Sequence, residues 1–137
     1  MWKLVMNLKK RTIGSLAKAA EVNIETIRYY QRIGLINEPV KPTHGYRIYP
    51  YESLTRIKFI KRAQQLGFSL QEIGELLELG EGHCDDIRLK AEDKRAQIDS
   101  QINDLEKLRG TLDELINSCH TNSKSNHCAI VDTLTAV

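Results

Sequence analysis

Three cysteines carry the softest chemistry in this chain, and each has a histidine beside it: His83-Cys84, Cys119-His120 and His127-Cys128. Thiolates suit soft or borderline metal ions, whereas Mg(II) or Ca(II) demands oxygen donors. An odd cysteine count with no export signal argues against a disulfide framework and toward thiol or metal chemistry. Inert buried cysteine is the plain alternative. A tetrahedral Cys/His zinc site is chemically reasonable, but adjacent residues point in different directions, and histidines can instead lower the neighbouring thiol pKa. A Cys-His nucleophile lacks a third orienting group and an oxyanion-hole loop, so the chain does not read as an enzyme.

A second group is basic and aromatic: Thr26, Arg28, Tyr29 and Gln31, then Tyr46, Arg47 and Tyr49, then Arg56 and Lys61. Arg and Lys neutralise phosphates with release of counterions, and Tyr hydroxyls donate to phosphate oxygens. Thr26, Arg28 or Gln31 can touch base edges in a major groove. Charge is distributed accordingly. Residues 1–80 hold 13 basic and 7 acidic side chains, whereas residues 81–137 hold 7 and 11, so the first part of the chain can face a polyanion. A solvated surface of uneven charge is the bland reading of the same numbers.

The elements that must position these groups are delimited by caps, Gly and Pro. Thr12 can cap a helix running through Ala20, and after Glu21-Val22-Asn23, Asn23 can cap a second one, Ile24 to Ile33, stopped by Gly34. That pair is a helix-turn-helix, with Ile13, Leu16, Ala17, Ala20, Val22, Ile27 and Leu35 available for a shared core. Pro39 and Pro42 bracket a non-helical connection, and His44-Gly45 before Tyr46-Arg47-Ile48-Tyr49 reads as a short hairpin or wing. A third helix fits Tyr51 to Leu66, and Ser69-Leu70-Gln71-Glu72 is a capping box opening a fourth, through Leu79.

From about Asp85 to Ser118 there is no proline and a single glycine, Gly110, so one long rod is expected. Ala91, Ile98, Leu105, Leu112 and Cys119 recur every seventh residue, with Ile87, Leu108 and Leu115 at complementary positions. An isolated helix cannot bury its own stripe, which favours a coiled-coil homodimer. At about 1.5 Å per residue, Cys84 and Cys119 stand roughly 50 Å apart in one chain. An antiparallel dimer brings the start of each rod against the end of its partner. The eight residues after Cys119 let Cys128 fold back beside it, giving two equivalent three-thiolate sites per dimer.

The runs Thr12-Ile13-Gly14-Ser15-Leu16-Ala17-Lys18-Ala19-Ala20, Thr26-Ile27-Arg28-Tyr29-Tyr30-Gln31-Arg32-Ile33-Gly34-Leu35, Arg56-Ile57-Lys58-Phe59-Ile60 and Leu66-Gly67-Phe68-Ser69-Leu70-Gln71-Glu72-Ile73 resemble the MerR family of transcriptional regulators. The resemblance covers nearly the whole chain. The spacing of Cys84, Cys119 and Cys128 is similar to that of the family's mercury-sensing branch. It implies a winged-helix dimer on an overlong promoter spacer, repressing without metal and activating by DNA distortion when Hg(II) binds, with RNA polymerase as a further partner. It also implies that Cys84 of one protomer joins Cys119 and Cys128 of the other, one Hg(II) at each of the two sites. Ala129 stands where mercury-sensing members often carry proline, and His120 where zinc-sensing members usually carry another loop cysteine.

The expected architecture is therefore mainly α. Residues 8–80 form a winged helix-turn-helix DNA-binding domain, 81–118 a dimerisation helix in an antiparallel coiled coil, and 119–137 a metal-binding loop and tail. The expected partners are a palindromic promoter operator, RNA polymerase and a second copy of the chain. No apolar run reaches the roughly 18 residues of a membrane span, so no membrane partner and a cytoplasmic location are expected. A zinc, cadmium or lead sensor on the same scaffold, a DNA-binding dimer with structural cysteines, and a coiled-coil adaptor remain as alternatives.

Overall fold

The computed structural model describes residues 11–121 and 128–136; residues 8–10 of the expected first domain, and the loop 122–127 with His127, lie outside the described residues. The chain divides into two compact units, the first ending at Cys84 and the second beginning at Asp85.

The first unit is built on four helices: α1 (Ile13–Ala20), α2 (Ile24–Arg32), α3 (Tyr51–Gln65) and α4 (Leu70–Leu79). Each boundary has a local cause. Thr12 sits in extended backbone and its hydroxyl accepts from the Ser15 amide at 3.2 Å, which satisfies one of the orphan donors opening α1. Glu21 ends α1 in the left-handed region, at φ 57° and ψ 47°, a conformation that reverses the chain while the Val22 amide closes on the Ala17 carbonyl. Asn23 occupies the cap position of α2 without making the side-chain hydrogen bond expected of it. The capping box of α4 is complete, with Ser69 accepting from the Glu72 amide and Glu72 accepting from the Ser69 amide.

These helices close on one core. α1 packs on α2 and α3, and α3 packs on α4. Leu16, Ile27, Ile57, Ile60 and Ile73 are fully buried at the centre, surrounded by Ala17, Ala20, Tyr30, Leu35, Ile36, Leu54 and Ala63. Tyr30 reaches this core with a polar tip, and its hydroxyl donates to Gln64 Oε1 at 3.0 Å.

The segment expected as a short hairpin or wing does not pair with itself. Among the described residues no strand forms; the single β pairing is an antiparallel bridge between Tyr49 and Arg11, with amide-to-carbonyl hydrogen bonds of 2.7 and 3.1 Å. The residues before Pro50 are thus tied to the entry of α1, not to each other. Gly45, at φ 88°, supplies the left-handed turn that leads into them.

The second unit holds α5 (Cys84–Thr121) and α6 (Ala129–Thr135). α5 runs for 38 residues, three beyond Ser118 and one before Asp85. Asp85 and Asp86 in its first turn complement the helix dipole, and Arg88 spans Asp85 at 3.6 Å and Glu92 at 3.8 Å. The apolar stripe is exposed along its length: Ile98, Ile102, Leu105, Leu108, Leu112 and Ile116. Ile102 and Ile116 widen the seam beyond the positions that a strict seven-residue count picks out. Within the segment read as a loop and tail, Ala129–Thr135 forms α6.

Candidate functional site

The basic and aromatic residues of the first unit fall into two classes. Arg28 and Tyr29 are exposed on α2, Thr26 and Gln31 are half-buried beside them, and Tyr46 is 79% exposed on the segment after Gly45. Arg28, Gln31, Tyr46 and Arg47 line a groove of about 330 Å³ together with Thr12 and Lys41. The cations Arg28, Lys41 and Arg47 on its walls meet one carboxylate there, Glu38. Arg28 pairs with Glu25 at 2.8 Å, both side chains well exposed, so solvent and salt screen the contact and leave the guanidinium ready to exchange partners. Tyr29 carries the Arg32 guanidinium 5.5 Å from its ring centroid.

The other class is tied to the protein by its own hydrogen bonds, although Arg56 remains exposed. Arg47 Nε donates to the Pro39 carbonyl at 3.0 Å, with its Nη1 3.8 Å from Glu38, so part of this side chain braces the connection it belongs to. Arg56 Nε donates to the Leu35 carbonyl at 2.7 Å. Lys61 Nζ donates to the Ala20 and Glu21 carbonyls at 3.1 and 3.2 Å, fastening α3 to the end of α1. Tyr49 is only 2% exposed, and its hydroxyl donates to Gln31 Oε1. The reason is parity: in extended chain Tyr46 and Ile48 face one way while Arg47 and Tyr49 face the other. Burial raises the Tyr49 pKa, with Glu38 adding to the effect and Arg47, Arg28 and the Gln31 hydrogen bond opposing it. The phenol therefore stays a neutral donor that orients Gln31.

Lys41 was not singled out by sequence reasoning, because Pro39 and Pro42 mark its surroundings only as a loop. Lys58 and Arg62 join Lys61 along a second groove of about 250 Å³ beside Ala20 and Glu21. Their signal was available in the cation-rich run of α3, but helical periodicity alone does not distinguish a solvated face from a contact surface.

The thiols divide between the ends of the rod. Cys119 lies in the last turns of α5, and Cys128 is the residue that opens α6; their sulfurs are 3.7 Å apart. Cys84 is exposed at the first position of α5, roughly 50 Å from Cys119 at a rise of about 1.5 Å per residue. The structure thus brings together two of the three cysteines and keeps the third away. His120 is exposed in the final turn of α5.

The pair is electrostatically asymmetric. The amides of Val131 and Ile130 face the Cys128 sulfur without forming a regular cap hydrogen bond and, with the Cys119 contact, lower its pKa. Cys119 is raised by its hydrogen bond to Cys128 and by the charge that Cys128 then carries. The two thiols titrate as a pair, with Cys128 drawn down by the backbone amides and Cys119 pushed up by its neighbour. The spacing also fits metal chelation: two thiolates with bonds of about 2.3 Å to one tetrahedral ion lie about 3.8 Å apart. Among the described residues of one chain, no three His, Cys, Asp or Glu side chains converge. No helix among the described residues is long and apolar enough to cross a membrane.

Comparison with known proteins bears on both regions. The family model described as MerR HTH family regulatory protein matches residues 11–79, and the one described as MerR, DNA binding matches residues 54–115. A mercuric resistance operon regulatory protein of Serratia marcescens is 45% identical over 129 residues, covering 93% of this chain and 90% of that protein. The crystal structure of the transcription regulator PbrR691 from Ralstonia metallidurans CH34 in complex with lead(II) matches with a TM-score of 0.79 at 31% identity, over 93% of this chain and 100% of that one. The crystal structure of a dual-function MerR regulator from Bacillus megaterium MB1 in complex with mercury(II) matches with a TM-score of 0.72 at 38% identity, over 92% and 99% of the two chains.

Proposed function

Because the chain belongs to the MerR family and is a metal-responsive, DNA-binding transcriptional regulator rather than an enzyme, we propose that its inducer is Hg(II) and that it controls a mercury resistance operon. The observation that carries this reading is the thiol pair, Cys119 and Cys128 at 3.7 Å, with Cys84 at the opposite end of one uninterrupted helix. Two soft donors are preassembled, and a third can reach them only from another chain. An antiparallel homodimer supplies it, with Cys84 of one protomer beside Cys119 and Cys128 of its partner, one ion at each of two sites. The exposed stripe of α5 is the surface such a dimer would bury. Three thiolates without a fourth thiol suit a soft ion of low coordination number better than Zn(II), which takes four ligands in structural sites.

On the DNA side, α2 enters the major groove. Arg28, Gln31 and Thr26 take base-edge roles; Tyr29, Tyr46, Arg47 and Lys41 take phosphates; Tyr49, Arg56 and Lys61 hold that surface in shape. Residues 8–80 bind DNA, 81–118 pair the protomers, and 119–137 complete the metal site. The dimer sits on a palindromic operator in the cytoplasm, represses without metal, and on binding Hg(II) distorts the promoter so that RNA polymerase can use it. Distortion in place of new base contacts places the energetic cost of activation in the DNA.

Support for mercury comes from the regulator of Serratia marcescens, similar over nearly its whole length. A second reading, Pb(II), Cd(II) or Zn(II) sensing, is favoured by one observation, the nearly tetrahedral sulfur spacing. Transcription from the protein's own promoter, run in vitro with a panel of these ions, decides between them. Induction by Hg(II) at the lowest concentration supports the proposal, and a lower threshold for another ion overturns it.

A further inference from the structure

The thiol pair has a chemistry that needs no metal. Cys119 Sγ and Cys128 Sγ lie 3.7 Å apart within one chain, and both residues are only partly buried. A disulfide bond is about 2.05 Å long, so the sulfurs have roughly 1.6 Å to close, which side-chain torsions can supply. Cys84, at the far end of α5, cannot compete within the same chain. Two thiols in contact and reachable by solvent are the arrangement in which a small oxidant yields a disulfide before it yields overoxidised single cysteines.

We propose that Cys119 and Cys128 form a peroxide-oxidisable dithiol, a reversible modification site independent of metal. One thiolate attacks the peroxide: its sulfur bonds to an oxygen, the O–O bond breaks, and hydroxide leaves, giving a sulfenic acid. The neighbouring thiolate attacks that sulfur, the S–S bond forms, and the S–O bond breaks with loss of a second hydroxide. The two protons from the thiols convert both hydroxides to water. The dithiol gives up two electrons and hydrogen peroxide takes both. A reducing dithiol restores the pair by exchange. This chemistry stands apart from the mercury reading. Its effect on regulation rests on that reading, since a disulfide removes two of the three proposed ligands.

The test uses the full-length chain, reduced, freed of reductant, and treated with one equivalent of hydrogen peroxide. Free thiols are expected to fall from three per chain to one. Peptide mapping should show a Cys119–Cys128 link, and dithiothreitol should restore all thiols. In Cys84→Ser the same link should form. In Cys119→Ser or Cys128→Ser no intrachain link should form, and dimedone should instead trap a sulfenic acid. A covalent dimer joined through Cys84, sulfinic acid on separate cysteines, or three unreacted thiols each overturns the proposal. Hg(II) binding by the reduced protein is measured separately. Binding without a disulfide removes only the redox site, and a disulfide without Hg(II) binding removes only the metal reading.

Discussion

Replacing Leu105 with Gln tests whether the stripe on α5 is a dimer surface. Leu and Gln have nearly equal helix propensity, so the rod itself should persist. Leu105 is 63% exposed in the single chain. Full burial of a leucine side chain is worth about 1.5–3 kcal/mol, so burying this remaining surface contributes about 1–2 kcal/mol. In a two-fold dimer the substitution occurs twice, and the loss becomes about 2–4 kcal/mol, or roughly 30- to 900-fold in the dimer dissociation constant. Sedimentation equilibrium across a concentration series reads that constant, and circular dichroism confirms retained helix. A dissociation constant within threefold of the parent, with helix content unchanged, would refute the assignment of the stripe to an interface and with it the cross-chain metal site.

Other outcomes follow from the contacts of each residue. Lys61→Met should remove the tie between α3 and the end of α1 and destabilise the DNA-binding unit by about 1–2 kcal/mol, discounted for partial exposure; thermal melting reads this as roughly 4–8 °C lost per kcal/mol in a unit of this size, with the salt slope of DNA binding unchanged. Arg28→Ala should cost about 1–3 kcal/mol of operator affinity and relax discrimination at one position, whereas Arg47→Ala should weaken all sequences alike and make the salt slope shallower by about 1; an unchanged affinity and slope in both variants sinks the DNA surface. Because the Cys128 pKa is lowered and that of Cys119 raised, iodoacetamide at neutral pH should label Cys128 first, with Cys119 catching up only as pH rises; the reverse order contradicts the electrostatic account. A mixed dimer of Cys84→Ala and Cys119→Ala chains should recover one three-thiolate Hg(II) site where either homodimer has none, and no recovery of a three-thiolate site in purified mixed dimers counts against the antiparallel pairing.

Helix existence was legible wherever a cap and an apolar period agreed. Thr12 opens α1, Ser69 and Glu72 open α4, and the proline-free run becomes α5. What sequence could not rank was competition among partners for one side chain. Tyr49, Arg56 and Lys61 carry the residue types of a phosphate contact, and each also donates within the protein, to Gln31 Oε1 or a backbone carbonyl. Local pattern encodes what a side chain can donate and leaves open which acceptor the tertiary fold brings first. The bridge between Arg11 and Tyr49 was hidden for the same reason, since its partners are separated in sequence by two helices. The thiol pair was half legible: the short interval permitted contact between Cys119 and Cys128, and α6 is the element whose start fixes it.

The unbroken course of α5 sets a rule for the length of the chain itself. Cys84 continues the seven-residue series Ala91, Ile98, Leu105, Leu112 and Cys119, so along a supercoiled seam Cys84 and Cys119 share a phase with the stripe between them. Each residue added to or removed from a helix turns everything beyond it by about 100°. A one-residue deletion in the middle of α5 would leave all three cysteines, every DNA-facing cation and most of the seam chemically intact while turning Cys119 away from the face that Cys84 marks. Removing seven residues would restore the phase. Length in this rod is therefore quantised, and a regulator of this design is expected to tolerate change in α5 far better by substitution, or by whole heptads, than by single insertions or deletions.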